Sequence, residues 1–497
     1  MLPQIDTIVT LMLENRSFDT MLGWLYPDPR ECINLIPASS IPPHFDGIVP
    51  NRQGNWDKGW KYQPSYGFES LGEQRWRVPR QDPDENIGGV QRQMYGDAYG
   101  NVMDVNWGHP PMTGFVSDYA SMLPSALGDV MGAFTREELP ILSGLARRFA
   151  VSDRWFCSVP TETDPNRAFS VCGTSQGKTS DLSRPIQFTA PTIFNGLNTG
   201  TKDWGIYYQT AIGGLPIDDP RLTFTELLFA QAHAALKAPD SRGRIDTYQS
   251  FLNGLRTGDL PSFCYLEPNW GWGLHDPGTE TDFVGWQGND YHPPTWVGPA
   301  EADLAELFNA IVSSPRWERM LFVITFDEHG GTWDHVPPPS AANPDGLVDE
   351  ATGFQFTRLG PRVPAILVSP FVEPGTVFRP PIGSTVPFDH TSLIKTVLQW
   401  AGAKPEFIAS MGQRVIEAPT FEHALTRVSV QPNPTRPSVP SHFAGQAKKG
   451  AHNLPFDASR LSLFDHRDAL AATSNVHEYI EFLRERSKRN PSAAPPH

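Results

Sequence analysis

The chain of 497 residues carries 40 Lys and Arg against 55 Asp and Glu, which gives a formal net charge of −15 at pH 7. Nonspecific nucleic-acid binding draws its affinity from Lys and Arg on phosphates, so this balance argues against a nucleic-acid-binding protein, although it allows a local cationic pocket. The 14 Trp and 29 Phe are enough for a large core, and the 42 Gly and 49 Pro, which follow no period, indicate long ordered loops.

The first apolar run, residues 5–13 (IDTIVTLML), predicts a buried strand that ends directly before Glu14 and Asn15. This run is too short to span a bilayer, and no apolar run of about 18 residues occurs in the chain, so we predict no transmembrane segment. Asp6 and the lack of any Lys or Arg before Leu13 do not fit a secretory signal peptide. We therefore expect a protein that is cytoplasmic or exported by a non-classical route.

Further apolar runs and helical patterns alternate along the chain. The runs that predict buried strands are residues 147–159, 320–326 and 363–372. Apolar residues at helical spacing predict helices over residues 298–314 and 389–402. Strands that alternate with helices indicate an α/β sandwich with a mostly parallel sheet.

Regions outside this pattern suggest the domain organisation. Residues 28–115 predict a long aromatic-rich insertion near one sheet edge, facing the substrate. A Pro-rich connector follows over residues 429–455, and a final helix is predicted over residues 467–488. We therefore predict a catalytic domain over residues 1–428 and a C-terminal helical extension over residues 429–497.

Polar side chains follow two of the predicted strands. Glu14 and Asn15 follow the first, and Asp327 and Glu328 follow the strand over residues 320–326. Since ligands bind beyond the carboxyl ends of strands in open α/β sheets, we expect these three carboxylates and one amide to converge. Such carboxylates repel one another, and all-oxygen ligation suits one divalent ion such as Ca²⁺, Mg²⁺ or Mn²⁺, with Zn²⁺ left open. The alternative is a set of solvated loop acids.

The segment after residues 147–159 offers a candidate nucleophile. Pro165 suits a first helical position, which places Thr163 just before a helix N-terminus. The N–H groups and dipole of the helix favour an anion there, such as an alkoxide or a bound phosphate. The alternative is a plain helix cap by Thr163 or Asp164. A second alternative is Ser175 in a G-x-S-x-G match, although the residues after it make a poor helix and a nucleophile elbow needs one.

Three histidines lie near these segments. His292 lies in GNDYHPPTWVG, His335 follows Asp334 in GGTWDHVPPP, and His390 lies at a predicted helix start. Each alone favours a structural or surface role. Together they indicate hydrogen-bond donors or acid/base groups.

Several long motifs, in this order along the chain, resemble one family. They are ENRSFD (14–19), TDPNR (163–167), NDYHPP (289–294), FDEHGGTWDHVPPP (326–339) and DHTSLIKT (389–396). Over roughly residues 5–402 the chain resembles the bacterial phosphoesterases that include phosphocholine-preferring phospholipase C enzymes and a class of acid phosphatases. The resemblance implies a three-layer α/β/α sandwich, similar to alkaline phosphatases and arylsulfatases, with the active site at the strand ends.

The resemblance also implies roles for the candidate residues. Glu14, Asn15, Asp327 and Glu328 would hold one metal ion, and Thr163 would be a further metal contact and the nucleophile. Attack by Thr163 on phosphorus would give a phosphothreonine intermediate, which water then hydrolyses.

The remaining implied roles concern charge and protons around the phosphate. Histidine N–H groups would stabilise the phosphoryl oxygens and protonate the leaving oxygen. The histidines assigned to this role are His292, His335 and His390. Arg167 and Asp334 are candidate substrate-binding residues. One turn into its helix, Arg167 is equally placed to pair with an acid.

Two positions depart from the pattern of the family. Some members have a second His directly before the one that matches His292, and this chain has Tyr291 there. Within residues 80–89, where many members carry a His after an Asp-Pro, this chain has Glu85. Glu85 would then bind a substrate cation or serve as an acid or base.

The leading prediction is a metal-dependent phosphoric ester hydrolase of the phospholipase C type, acting on phosphodiesters such as phospholipid head groups. One alternative is an acid phosphatase that acts on phosphomonoesters, and another is an inactive phosphate- or lipid-binding module. A sulfatase of the same fold would need a Cys or Ser, converted to formylglycine, where Thr163 stands. The sequence predicts no oligomeric state.

Overall fold

The computed structural model describes most of the chain up to residue 430 and a few positions beyond it. The described residues are 2–28, 31, 34–58, 60–64, 67, 69–96, 110–181, 188–209, 223–275, 283–430, 434, 436, 437 and 443.

The strands of the described residues are numbered in chain order. They are β1 (Thr7–Leu13), β2 (Asn34–Ile36), β3 (Asn55–Asp57), β4 (Trp60–Tyr62), β5 (Ala150–Ser152), β6 (Trp204–Tyr208), β7 (Gly243–Thr247), β8 (Phe263–Glu267), β9 (Trp272–His275), β10 (Phe283–Trp286), β11 (Met320–Phe326), β12 (Ala365–Val368) and β13 (Thr376–Phe378).

Nine of these strands form one sheet in the order β2-β13-β5-β12-β11-β1-β8-β6-β7. β12 pairs antiparallel with both of its neighbours, and the other pairings in this sheet are parallel. Every residue of β1 and β11 is buried, as expected for parallel strands covered on both faces. Two short antiparallel pairs, β3 with β4 and β9 with β10, lie outside this sheet.

The α-helices are likewise numbered in chain order. They are α1 (Phe18–Leu22), α2 (Ile87–Tyr95), α3 (Phe115–Tyr119), α4 (Pro140–Arg148), α5 (Thr163–Cys172), α6 (Ile193–Thr199), α7 (Phe224–Leu228), α8 (Ala230–Lys237), α9 (Tyr248–Thr257), α10 (Val297–Ser313), α11 (His390–Trp400), α12 (Pro405–Ser410) and α13 (Gln413–Glu417). Short 3-10 segments span Glu69–Arg77, Leu127–Met131, Trp317–Arg319 and Glu422–Ala424.

The larger helices pack in two groups that flank the sheet. Helix α10 contacts both α4 and α9, and α5, α6 and α11 form a second group with α8, α12 and α13. This arrangement confirms the predicted three-layer α/β/α sandwich with a mostly parallel sheet. Among the described residues, no helix is both long enough and apolar enough to cross a membrane.

Several predicted elements agree closely with the structure. β11 matches the prediction, β1 begins two residues late, and α10 and α11 fall within a residue or two of their predicted bounds. The predicted strand over residues 147–159 is wrong in extent, because only β5 pairs as a strand. Its first residues end α4, and beyond β5 only isolated bridges at Trp155 and Phe156 form.

The predicted insertion and C-terminal extension are only partly described. β2, inside residues 28–115, forms one edge of the main sheet, so this region contributes to the core fold. The predicted helix over residues 467–488 lies outside the described residues, as does most of the predicted connector. Phe443 packs edge-on against Trp76, with ring centroids 5.1 Å apart. The domain boundary at residue 428 stays a prediction.

Candidate functional site

The pairing of β1 with β11 brings the two acidic segments side by side. The strands run parallel in a register that pairs Leu13 with Phe326, so the residues that follow both strands leave the sheet at the same edge. There the Asn15 backbone N–H donates to Asp327 Oδ1 at 3.1 Å. The Arg16 N–H donates to the Glu328 carbonyl oxygen at 3.0 Å.

Thr163 lies against this pair of segments. It is the first residue of α5 and is only 2% exposed. Its Oγ1 lies 3.0 Å from Glu14 Oε1 and 3.2 Å from Asn15 Oδ1. A hydroxyl has one proton to donate, so three oxygen atoms crowd together with too few protons to bond them all. The predicted convergence of Glu14, Asn15 and Thr163 is therefore present.

The start of α5 differs from the prediction. The helix begins at Thr163, two residues before Pro165, with Glu162 as its N-cap. The Asp164 N–H is already bonded to Asp181 Oδ1 at 2.8 Å. That N–H is therefore satisfied by a carboxylate of the chain itself, and the hydroxyl of Thr163 is the part of the helix start that faces the acids.

Arg167, one turn further along α5, pairs with two of the acids. Its Nη2 bonds Glu14 Oε2, and its Nε lies 3.1 Å from Asp327 Oδ2. The guanidinium stacks on the Trp270 ring, 4.5 Å from the ring centroid. Burial by itself lowers the pKa of Arg167, but the Glu14 and Asp327 carboxylates hold this pKa above its ordinary value. Of the two roles that the sequence allowed, these contacts favour pairing with acids.

The charge of this buried group is not balanced by Arg167 alone. The carboxylates of Glu14 and Asp327 pair with Arg167, the charge of Glu328 acts on both acids, and all three side chains are at most 5% exposed. Burial and the Glu14 carboxylate raise the pKa of Asp327 to about 8, and burial and Asp327 raise the pKa of Glu328 well above its usual range. When all three are ionised, two negative charges remain, the charge of one divalent cation.

Glu328 supplies a second indication that this group can bind a cation. Its Oε2 accepts the Gly330 N–H at 2.7 Å, while its fully buried Oε1 has no hydrogen-bond partner among the described residues. A buried carboxylate oxygen without a partner is costly unless something else binds it. Oxygen donors such as those of Glu14, Asn15, Thr163, Asp327 and Glu328 are the type of ligand that a hard divalent ion takes.

A second acidic cluster adjoins Asn15. Asn15 Nδ2 donates to Glu85 Oε1 at 2.5 Å and to His292 Nε2 at 3.1 Å. Ligand atoms of Asp82, Glu85 and His292 all lie within 4.8 Å of one another, close enough to hold a metal ion. Burial raises the pKa of Asp82 to about 6, and burial and Asp82 raise the pKa of Glu85 well above its usual range. Glu85 is therefore connected to the site by its hydrogen bond with Asn15.

The contacts of His292 define its tautomer. Its Nδ1 lies 2.5 Å from the Pro293 carbonyl oxygen, which can only accept, so Nδ1 carries a proton. Nε2 is left to face the Asn15 amide, with Asp82 Oδ2 at 4.0 Å. Among the predicted histidines, His292 is one that contacts the side chain of Asn15, which Thr163 also contacts.

Tyr291, where other family members carry a second His, turns away from the site. Its hydroxyl donates to Glu301 Oε1 at 2.7 Å inside the core. The same carboxylate accepts the N–H groups of Ile141 and Leu142 at the start of α4, at 2.7 and 3.0 Å. Tyr291 therefore anchors a helix cap between α10 and α4.

His335 and Asp334 belong to a different buried network. His335 Nδ1 lies 2.5 Å from Asp19 Oδ2, and the Arg362 guanidinium pairs with Asp19 and Asp334, each at 3.0 Å. Burial by itself lowers the pKa of His335, but the Asp19 carboxylate raises this pKa to about 9. Within the described part of the chain, no hydrogen bond or ion pair links His335 or Asp334 to Thr163. Their predicted catalytic and substrate-binding roles gain no contact here.

His390 supports the site from behind. Its Nε2 lies 2.5 Å from the Asp327 carbonyl oxygen, and its Nδ1 accepts a weak bond from Trp155 Nε1 at 3.4 Å. Both ring nitrogens are therefore engaged, and burial lowers the pKa of this histidine. In this conformation His390 holds the backbone of a candidate metal ligand and has no nitrogen free for a substrate.

Ser175 lacks the geometry of a nucleophile elbow. It follows the C-terminal end of α5, where an elbow needs a strand, and its hydroxyl donates to the Lys178 carbonyl oxygen at 2.7 Å. The serine-esterase alternative is therefore wrong.

Three functional acids were not expected from the sequence: Asp82 and Asp181 beside the site, and Asp19 in the network of His335. Asp82 precedes Pro83 in the segment that carries Glu85, so the Asp-Pro pair was an available signal. Asp181 caps the start of α5, and Asp19 binds His335, and no local pattern marks either one.

Comparison with known proteins supports the sequence motifs. The model of the Phosphoesterase family matches residues 5–402, the part of the chain that carries every candidate residue. The chain is 31% identical to non-specific phospholipase C6 of Arabidopsis thaliana, across 96% of this chain and 86% of that protein. It is 26% identical to phospholipase C A of Mycobacterium tuberculosis, across 91% and 83% of the two chains. The similarity therefore extends beyond bacterial proteins.

A comparison of structures finds a protein in the alkaline phosphatase superfamily from Vibrio parahaemolyticus. The overlap covers 57% of this chain and 65% of that chain, with a TM-score of 0.30 and 14% sequence identity.

The contacts of Arg167 predict a large effect on stability. In EDTA, Arg167→Met should lower the free energy of unfolding by about 3–5 kcal/mol, because Glu14 and Asp327 lose their buried counter-charge. Arg167→Lys, which keeps the charge, should lose less. Urea unfolding followed by circular dichroism measures both. Unchanged stability of the Met variant, together with weaker inhibition by inorganic phosphate, would instead identify Arg167 as a phosphate clamp.

Proposed function

The chain belongs to the Phosphoesterase family, and from that premise we propose that it cleaves phosphodiesters of phospholipids through a phosphothreonine at Thr163, with one divalent metal ion. Hydrolysis of phosphoric esters is the activity of the family to which the chain belongs. The observation that carries the proposal is the contact of Thr163 Oγ1 with Glu14 and Asn15 at 3.0 and 3.2 Å.

The proposed metal ligands are the five oxygen donors at the strand ends. They are Glu14, Asn15, Thr163, Asp327 and Glu328. When bound, a divalent ion lowers the pKa of a hydroxyl and offsets the charge on phosphoryl oxygens. Ca²⁺, Mg²⁺ and Mn²⁺ suit this all-oxygen set, and Zn²⁺ is a further candidate.

The chain orients Thr163 for attack on phosphorus. Glu14 Oε1 accepts a hydrogen bond from the hydroxyl, so it lies where the proton leaves. Asn15 keeps its amide oxygen toward Thr163, because its Nδ2 is held by Glu85 and His292. Arg167 fixes the carboxylate of Glu14 from the other side. The nucleophile and its acceptor are thus held before substrate arrives.

The proposed reaction has two steps that balance in atoms and protons. In the first step the Thr163 hydroxyl proton passes to Glu14, the Oγ1–phosphorus bond forms, the bond from phosphorus to the lipid oxygen breaks, and His292 gives a proton to that oxygen. In the second step water attacks phosphorus and gives one proton to His292, the Oγ1–phosphorus bond breaks, and Oγ1 takes back the proton from Glu14. To give that proton, His292 must carry it on Nε2, which then no longer accepts from Asn15 and has Asp82 Oδ2 4.0 Å away as its counter-charge.

The substrate class rests on the relatives. The similar proteins of Arabidopsis thaliana and Mycobacterium tuberculosis are named non-specific phospholipase C6 and phospholipase C A, and each similarity spans most of this chain. A phosphodiester with a lipid leaving group is therefore the proposed substrate. Phosphomonoester hydrolysis is the competing outcome of the test below.

Replacing the nucleophile tests the proposed chemistry. Thr163→Ala should lower the hydrolysis of p-nitrophenylphosphorylcholine by about a thousandfold or more, because the step at phosphorus loses its attacking oxygen. Thr163→Ser, which keeps a hydroxyl, should retain part of the rate. Faster hydrolysis of p-nitrophenyl phosphate by the wild type would assign a phosphatase. An unchanged rate in the Ala variant would exclude Thr163 as the nucleophile.

Metal removal should affect stability as well as activity. At about 100 times its dissociation constant, a bound ion stabilises the fold by about 2.7 kcal/mol, so EDTA should lower the melting temperature of the wild type. Glu328→Gln should lose most of this ion-dependent gain. Glu318→Gln, the same change at an exposed acid, is the control. A wild type that melts alike with EDTA and with each ion would contradict the metal site.

Glu85 offers a way to separate two proposed roles. If it orients Asn15, Glu85→Ala should lower kcat for all substrates alike, because Asn15 Nδ2 loses its acceptor on this side chain. If Glu85 binds a cationic head group, the variant should raise KM for p-nitrophenylphosphorylcholine and leave KM for an uncharged diester unchanged. The 2.5 Å contact to Asn15 predicts the first result. Steady-state kinetics on the two diesters distinguish these two roles. Unchanged kinetics on both diesters would exclude both roles.

A further inference from the structure

Strands β2, β5 and β13 are among those that end, with β1 and β11, at the edge of the sheet where Thr163 lies. β2 pairs parallel with β13, and β13 pairs parallel with β5. β12, the reversed strand, separates β5 from β11, so β5 runs in the same direction as β11 and β1. The loops that follow β2 and β13 therefore leave the sheet on the same side as the proposed catalytic group.

These two loops lie side by side and share a groove. The Arg379 N–H donates to the Ile36 carbonyl oxygen at 2.8 Å, and its Nη2 donates to the His44 carbonyl oxygen, also at 2.8 Å. The groove has a volume of about 570 Å³. Its walls include Ile41, Phe156, Val336, Pro337, Val386 and Pro387.

Two large apolar side chains stand exposed on these loops. Ile41 is 87% exposed on the loop after β2, and Ile382 is 80% exposed on the loop after β13. Covering such side chains removes apolar surface from water, which is favourable. Both residues project from loops at one edge, so a single surface can cover them together.

The two loops carry no formal charge. Residues 37–43 (PASSIPP) and 380–388 (PPIGSTVPF) contain no Asp, Glu, Lys or Arg, although the chain has a net charge of −15. The cations of the groove are neutralised within the chain, because Arg154 pairs with Asp46 and Arg379 pairs with Asp153 at 2.7 Å. An uncharged apolar surface complements the interface of a zwitterionic bilayer.

We propose that the loops after β2 and β13 dock the protein on a zwitterionic phospholipid surface, with Ile41 and Ile382 inserted among the lipids. This inference rests on the proposed hydrolysis of phospholipids. The phosphodiester of such a lipid lies at the membrane surface, so the edge of the sheet that holds Thr163 must face the membrane. Docking through loops at that edge brings the lipid phosphate toward the proposed nucleophile.

Vesicle binding by full-length variants tests the proposal. Ile41→Ser with Ile382→Ser should weaken cosedimentation with phosphatidylcholine vesicles by about tenfold or more, because two apolar anchors are lost. Val428→Ser is the matched control. Val428 is fully exposed, and its neighbour Arg427 bonds Phe371, just beyond the end of the reversed strand β12, at the opposite edge. Ile41→Trp with Ile382→Trp should bind more tightly, since Trp favours the interface.

Hydrolysis of soluble p-nitrophenylphosphorylcholine separates docking from catalysis. The double Ser variant should keep the wild-type rate on this substrate while losing activity on vesicles. Wild-type vesicle binding by the double Ser variant would overturn the proposal, as would a wild type that does not bind vesicles. A concentration-dependent dimer that only the Ser variant loses, without vesicle binding, would assign the surface to self-association and also overturn it. Absence of any hydrolysis by the wild type would instead contradict the proposed function.

Discussion

The parallel pairing of β1 with β11 is the constraint on which the site depends. It aligns the ends of two fully buried strands, so that Glu14 and Asn15 must lie beside Asp327 and Glu328. Three buried carboxylates in such a space repel one another when they are ionised. They stay ionised together only with compensating positive charge. Arg167 supplies one unit of that charge, and the proposed divalent ion supplies the rest.

Helix α5 links this charge problem to chemistry. Its first residue, Thr163, contacts Glu14 and Asn15, and Arg167 one turn later holds Glu14 and Asp327. One helix thus presents both the proposed nucleophile and the counter-charge to the same acids. The other parallel strands end at this edge too, which places the apolar loops with Ile41 and Ile382 on the side of the proposed reaction.

The sequence allowed the central part of the site to be predicted, because apolar runs ended directly in Glu14–Asn15 and Asp327–Glu328. It could not decide between the two roles of Arg167, since that depends on which face of α5 meets the sheet. It grouped His335 and His390 with the site, but Asp19 binds His335 in a separate network, and His390 bonds the Asp327 backbone behind the site. β5 was predicted too long because residues beyond it are apolar yet leave the sheet.

The central claim is that Thr163 carries the phosphoryl group during turnover. The most direct measurement is rapid acid quench of the enzyme with a phospholipid substrate, followed by mass spectrometry of the peptide that contains residue 163. We expect phosphate on Thr163 in the wild type and none in Thr163→Ala. Phosphate on another residue, or turnover by the wild type with no phosphorylated peptide at any quench time, would contradict it.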